Sequence, residues 1–124
     1  MSLVVATTLL TIISSQEIVT ADDSGWTSVA YSPVEISINQ FHSWEFEFIN
    51  GDGATQPCAQ LTINGGMPSH NHGLPTEPAI TPATNKGRYV LEGIKFHMPG
   101  TWQLVLNCED NERNKHDFTI TFDI

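Results

Sequence analysis

The chain has 124 residues, of which 40% are hydrophobic and 15% are charged, so it is long enough for one domain with a hydrophobic core. Five Lys and Arg residues stand against fourteen Asp and Glu residues, which gives a formal net charge of −9. All five basic residues lie at Lys86 or later. So acidic a chain is poorly suited to binding a phosphate backbone, and nucleic acid is excluded as an expected partner.

An uncharged run at residues 3–13 has the length of a signal-peptide core and is too short to span a bilayer. Residues 19–21, Val-Thr-Ala, then form a small-residue cleavage pattern. No Lys or Arg precedes the run, as a secretory signal normally requires, and its β-branched content also allows an edge strand. We expect residues 1–21 to be a signal-like or hydrophobic N-terminal segment and residues 22–124 to be one domain. The expected location is periplasmic or extracellular, with membrane attachment through this segment as an option.

Apolar and polar residues alternate along most of the chain after residue 25, as in half-buried strands. Weaker strands at residues 29–38 and 89–96 are interrupted by Pro33, which is typical of a kinked or edge strand, and by Gly93, which indicates a bulge. An extended piece is expected at residues 76–82. Four segments alternate clearly, with apolar positions at Trp44, Phe46 and Phe48; Ala59, Leu61 and Ile63; Trp102, Leu104 and Leu106; and Phe118, Ile120, Phe122 and Ile124. The pattern predicts an all-β protein, an immunoglobulin-like antiparallel β-sandwich of about seven strands.

The order of these strands also predicts where their ends lie. If the strand at residues 59–63 runs upward, the chain descends at 76–82, rises at 89–96 and descends again after Trp102. Cys58 and Cys108 then meet at the bottom, as a disulfide requires. A disulfide is the natural pairing in an exported protein, whereas two unpaired buried thiols would be usual in a cytosolic one.

Met67, His70 and His72 fall within six residues, and His97 and Met98 follow about 25 residues later at the same predicted pole. Imidazoles at positions i and i+2 share a face in extended backbone and can converge on one ion. Imidazole and thioether donors together favour copper, Cu(I) above all, although imidazole also accepts Cu(II). The alternative interpretation is that Met67 and Met98 only fill apolar space at the end of the sandwich. The His70-x-His72 spacing would then have arisen by chance.

His97 and Met98 are adjacent in the sequence, so in a continuing strand their side chains point to opposite faces. Only one of them can then face the loop that carries His70 and His72. We expect Met98 to be the ligand, with His97 supporting the site or binding the ion transiently.

The run from Met67 to Gly73, MPSHNHG, followed by Tyr89, Gly93, Phe96, the Met98-Pro99-Gly100 turn and Trp102, resembles the YtkA-like domain family over roughly residues 59–107. The resemblance implies an immunoglobulin-like sandwich in an exported or membrane-anchored protein, associated with FixH-like proteins and with copper or heavy-metal handling. It implies metal ligands at Met67, His70, His72 and Met98. The acidic N-terminal half, the Cys58 and Cys108 pair and the lack of a clear membrane anchor depart from the family pattern.

Enzymatic sites have little support in the sequence. Glu45 and Glu47 lie on a predicted solvent face, and the acidic residues between 109 and 112 lie in a polar turn, without a histidine or an apolar pocket. No nucleophile elbow or phosphate-binding loop is present. His42 and His116 are expected to be ordinary surface or strand-end residues. We therefore do not expect an enzyme.

The leading hypothesis is an exported copper-binding protein that acts as a carrier, buffer or assembly accessory. Its partner would be a copper-accepting protein or an assembly partner of a membrane enzyme, and the acidic surface would attract cations or a basic partner. The competing hypothesis is a non-metal interaction module of immunoglobulin-like type that uses the loop at residues 64–75. His70 and His72 would then be pH-sensitive contacts.

Overall fold

A computed structural model of the protein describes residues 15–124. Apart from one short 3-10 turn at Pro68–His70, the regular structure in this range is β-strand. The strands are β1 (Ser15–Ala21), β2 (Thr27–Pro33), β3 (His42–Ile49), β4 (Gln60–Met67), β5 (His72–Gly73), β6 (Ala79–Pro82), β7 (Arg88–Ile94), β8 (Thr101–Glu109) and β9 (Lys115–Asp123). No helix in residues 15–124 has the length and apolar character needed to cross a membrane.

The strands form two antiparallel sheets that pack as a sandwich. One sheet has the order β1-β2-β3-β7-β6 and the other has the order β5-β4-β8-β9. The predicted all-β sandwich is confirmed, with nine described strands rather than about seven. The two additional strands are β5, which has only two residues, and β1, which pairs along its whole length with β2.

Strand β1 occupies the last third of the segment that we expected to be signal-like. Residues 19–21, the predicted cleavage pattern, pair with the start of β2, and Ile18 packs against the core. The hydrophobic run at residues 3–13 lies outside the described residues.

The core forms where the alternating apolar residues of the two sheets face each other. Trp44, Phe46 and Phe48 of β3 are fully buried, and Trp102 and Leu104 of β8 lie within the same cluster. Replacing one of the large aromatic residues with alanine typically costs about 3–5 kcal/mol, so this cluster contributes much of the stability of the sandwich.

The predicted bulge at Gly93 is confirmed. His42 pairs with Ile94 and Trp44 pairs with Leu91, so two residues of β7 stand opposite one residue of β3. Gly93 has a φ of +78°, a conformation that a residue with a side chain adopts only at a cost. The bulge occurs just before the chain leaves β7 for the turn that carries His97.

The two ends of the sandwich carry different chemistry. Cys58 and Cys108 form a disulfide, with their Cα atoms 5.4 Å apart, at the end where β8 finishes and β9 begins; we call this end the disulfide pole. The Met–His pole is the opposite end, where β4 and β7 finish and β3 and β8 begin. It carries Met67, His70, His72, His97 and Met98, as the strand order predicted.

Candidate metal site at the Met–His pole

The loop that carries His70 and His72 is short and folds back on its own strand. The chain leaves β4 at Met67, makes the 3-10 turn, and passes through Asn71 in the left-handed conformation, with a φ of 50°. It then pairs with β4 again as β5, with Gly73 opposite Gly66. A Cβ at Gly66 would lie 2.3 Å from the carbonyl oxygen of His72, so this close return requires glycine.

Three imidazole rings lie in a row at this pole. The ring centroids of His70 and His72 are 6.1 Å apart, and those of His72 and His97 are 5.9 Å apart. The His70 and His72 side chains are exposed, while His97 is half-buried. The sequence had placed all three at one pole, with His97 in a supporting role, and the tertiary structure brings the His97 ring next to His72.

The spacing of each neighbouring pair of rings is close to what two ligands of one ion require. Metal–nitrogen bonds of about 2.0–2.1 Å put the centroids of two imidazoles on one ion about 5 to 6 Å apart. Among residues 15–124, no three His, Cys, Asp or Glu side chains already stand in metal-binding geometry. Rotation of the exposed His70 and His72 side chains is therefore needed to bring their nitrogen atoms to a common point.

Met67 lies beneath this row. It is directly opposite His72 across the β4–β5 pair, so the two side chains share one face of the sheet. The Met67 side chain is only 1% exposed and belongs to the core cluster. Its thioether is thus the most buried of the predicted donors. An ion held by the exposed loop histidines would reach it from the solvent side.

Met98 and His97 occupy the turn between β7 and β8. Met98 is half-buried and packs against the core, and its carbonyl oxygen accepts a hydrogen bond of 3.0 Å from the indole Nε1 of Trp102. The His97 ring stands edge-on to Trp102 at 5.5 Å and next to His72. The structure therefore brings His97 to the loop histidines and places Met98 toward the hydrophobic interior.

His42 is at the same pole, which the sequence analysis did not anticipate. It begins β3, the strand antiparallel to β7, and its ring packs against Phe96 at 5.3 Å. Burial lowers the pKa of the His42 imidazole, while a hydrogen bond of 3.2 Å to the carbonyl oxygen of Gln40 opposes this effect. A prediction that β3 pairs with β7 would have placed His42 at this pole.

His116, at the disulfide pole, is a strand-end residue but not an ordinary one. Its side chain is buried between two carboxylates, with Nδ1 2.8 Å from Asp22 Oδ2 and Nε2 3.0 Å from Asp110 Oδ2. The ring stacks on Trp26 at 3.8 Å, and Ser24 Oγ lies 3.0 Å from Nδ1. The expectation that the acidic turn after Cys108 has no histidine partner is wrong.

The protonation of these three groups is coupled. Burial alone would lower the pKa of His116, but the bonds to Asp110 and Asp22 raise it above its ordinary value. Burial would raise the pKa of Asp22, but hydrogen bonds from Ser24, His116 and the Trp26 amide lower it. The bond to His116 is the main reason that the pKa of Asp110 is lowered. The cluster holds one imidazole between two carboxylates, an arrangement that favours the protonated form of His116.

Comparison with known proteins gives one finding. A family model described as YtkA-like matches residues 20–107, which is more than half of the chain. The match covers β2 to β7, most of β8 and all five residues predicted at the Met–His pole. Searches of curated proteins and of solved structures give no match.

Proposed function

This chain belongs to the YtkA-like family, and we propose that it is an exported copper-binding protein, a carrier, buffer or assembly accessory that holds copper at the Met–His pole. The proposed ligands are Met67, His70, His72 and Met98. The single observation that carries the proposal is the pairing of His72 with Met67, which combines an exposed imidazole and a buried thioether on one face of the sheet.

The donor types favour copper over other ions. Thioethers bind soft Cu(I) and contribute little to sites for zinc, magnesium or calcium, whereas imidazole accepts both copper oxidation states. Both cysteines of the chain are joined to each other at the opposite pole, so methionine is the sulfur donor that remains. The disulfide also supports an oxidising location outside the cytosol.

The exposure of the two histidine donors suits transfer better than storage. His70 and His72 lie on a surface loop and can leave the ion one at a time, which would allow a partner's ligands to replace them. The net charge of −9 would attract cations and a partner with a basic surface. These features support a protein that delivers copper to a copper-accepting protein or to an assembly partner of a membrane enzyme.

A competition titration with a chromogenic Cu(I) chelator under anaerobic conditions tests this function. The wild type should take one Cu(I) from the chelator, and both the Met98→Ala variant and the His70→Ala/His72→Ala double variant should bind it roughly tenfold or more weakly. His42→Gln is the matched control, because His42 is a histidine of the same pole that packs on Phe96. Unchanged affinity in both test variants would contradict the proposal.

A second function, a protein-interaction module, is supported by the surface beside the same loop. An open cleft of about 310 Å³ is lined by residues of β4 and of the loop, among them Pro68 and His72, and by Gln103 and Val105 of β8. A partner segment could dock there against residues 64–75. This function would leave the purified protein without retained copper, and adding Cu(I) would not shift its thermal unfolding.

A further inference from the structure

Within residues 15–124, one ring nitrogen of His97 is buried without a hydrogen-bond partner. Its Nδ1 atom is inaccessible to solvent and, among the described residues, has no hydrogen-bond partner. Buried polar atoms are almost always paired, and an exception calls for an explanation such as a bound ion or a functional role. The unpaired atom belongs to the ring that stands 5.9 Å from His72.

The backbone on both sides of His97 is held in place. The carbonyl oxygen of Phe96 accepts a hydrogen bond of 2.8 Å from the Asn39 amide, and that of Met98 accepts one from the Trp102 indole. The Trp102 ring also stands against the imidazole itself. His97 is therefore anchored by its neighbours and half-buried, in contrast to the two exposed histidines of the loop.

We propose that His97 is a ligand of the ion, so that His70, His72 and His97 form a three-imidazole site that binds Cu(II) as well as Cu(I). This inference rests on the copper-binding function proposed above. Nitrogen-rich donor sets suit Cu(II), while the thioether of Met67 below the row suits Cu(I). The ring of His97 lies next to His72, so His97 joins the ligands proposed above, although we had expected Met98 rather than His97 to face the loop.

His42 provides the contrast that makes the assignment specific. It also has a buried nitrogen, Nε2, for which the described part of the chain supplies no hydrogen-bond partner. Its other nitrogen, however, donates to the Gln40 carbonyl oxygen, and its ring packs on Phe96, a core residue. It begins β3, in the other sheet from the β4–β5 loop. His42→Gln is therefore the matched control for His97→Gln.

Electron paramagnetic resonance of the full chain loaded with one equivalent of Cu(II) tests the inference. Nitrogen couplings in the wild type should count three imidazoles. His97→Gln should reduce the count to two and weaken Cu(II) binding roughly tenfold to a hundredfold, as expected when a ligand or its support is lost. His42→Gln should leave both the count and the affinity unchanged.

The outcomes separate this inference from the proposed function. A wild-type count of two or fewer imidazoles overturns it without requiring any variant to fold. Unchanged Cu(II) binding in a folded His97→Gln protein also overturns it, as does Cu(I) binding without any Cu(II) binding, and in each case the copper-binding function stands. A wild type that binds neither ion overturns both.

Discussion

Gly100 packs directly against the methyl group of Met67. A Cβ placed at residue 100 would lie 2.5 Å from Met67 Cε, and Gly100 has a φ of +141°. The contact joins the end of β4 to the turn before β8, so the two segments that supply the proposed ligands are packed against each other. A substitution in one segment should therefore shift the proposed ligands of the other.

Gly100→Ala should therefore destabilise the protein by about 1–3 kcal/mol and weaken Cu(I) binding, because the new methyl group displaces Met67. Urea unfolding and chelator competition measure the two effects. Gly53→Ala is the control, since Gly53 also has a positive φ, +81°, but no atom of residues 15–124 lies within 4 Å of the added Cβ. It should keep the wild-type Cu(I) affinity, and equal Cu(I) affinity in both variants would argue against a role for this contact in positioning Met67.

Met67→Leu should separate the structural role of this residue from its role as a ligand. Leucine fills a similar volume, so the free energy of unfolding should fall by less than about 1.5 kcal/mol, while Met67→Ala should cost about 2–5 kcal/mol. The leucine variant lacks the thioether and should bind Cu(I) more weakly, with little change toward Cu(II). If the leucine variant bound Cu(I) as tightly as the wild type, Met67 would be a core residue only.

The His116 cluster should make stability depend on pH in two directions. The pKa of His116 is raised above 6.5, so its contribution is complete below that pH and is lost as the pH rises through the folded-state value. The pKa values of Asp22 and Asp110 are lowered below 3.8, so their contribution is present above that pH and is lost in more acidic solution. Stability from this cluster should be greatest between these limits.

His116→Asn tests this linkage through urea unfolding from pH 4 to 9. The variant should be less stable by about 3 kcal/mol near pH 6, because a buried ion pair loses one partner. The difference from the wild type should shrink as the pH rises, when the wild-type imidazole loses its proton. A difference that stayed constant across the range would mean that His116 stabilises the fold by packing on Trp26 alone.

Removal of the disulfide should affect stability but not copper binding. Cys58 and Cys108 are 50 positions apart in the sequence, and closing a loop of that length contributes roughly 4 kcal/mol in the chain-entropy model. The Cys58→Ala/Cys108→Ala variant should unfold at lower urea and keep its Cu(I) affinity, since the bond lies at the opposite pole. A strong loss of affinity in a folded variant would show that the two poles are coupled.

Much of the fold follows from the period-two pattern of apolar residues. Inward positions such as Phe46, Leu104 and Ile120 are all buried, and the strand order placed both cysteines at one pole. The pattern missed β5, which is too short to show a period, and β1, whose composition also suits a signal segment. Local alternation thus predicts long strands well and pairings of two residues poorly.

The sequence by itself determined the all-β sandwich and the concentration of methionine and histidine at one pole, because hydrophobic burial acts along the whole length of each strand. Only the tertiary structure decided which side chains face one another there. His97 and Met98 lie in a turn where strand alternation no longer holds, and packing against Trp102 and the core directs them. His116 meets Asp22 across 94 positions of the sequence; no local pattern encodes that contact, which forms because a buried charge must find its partner in the folded chain.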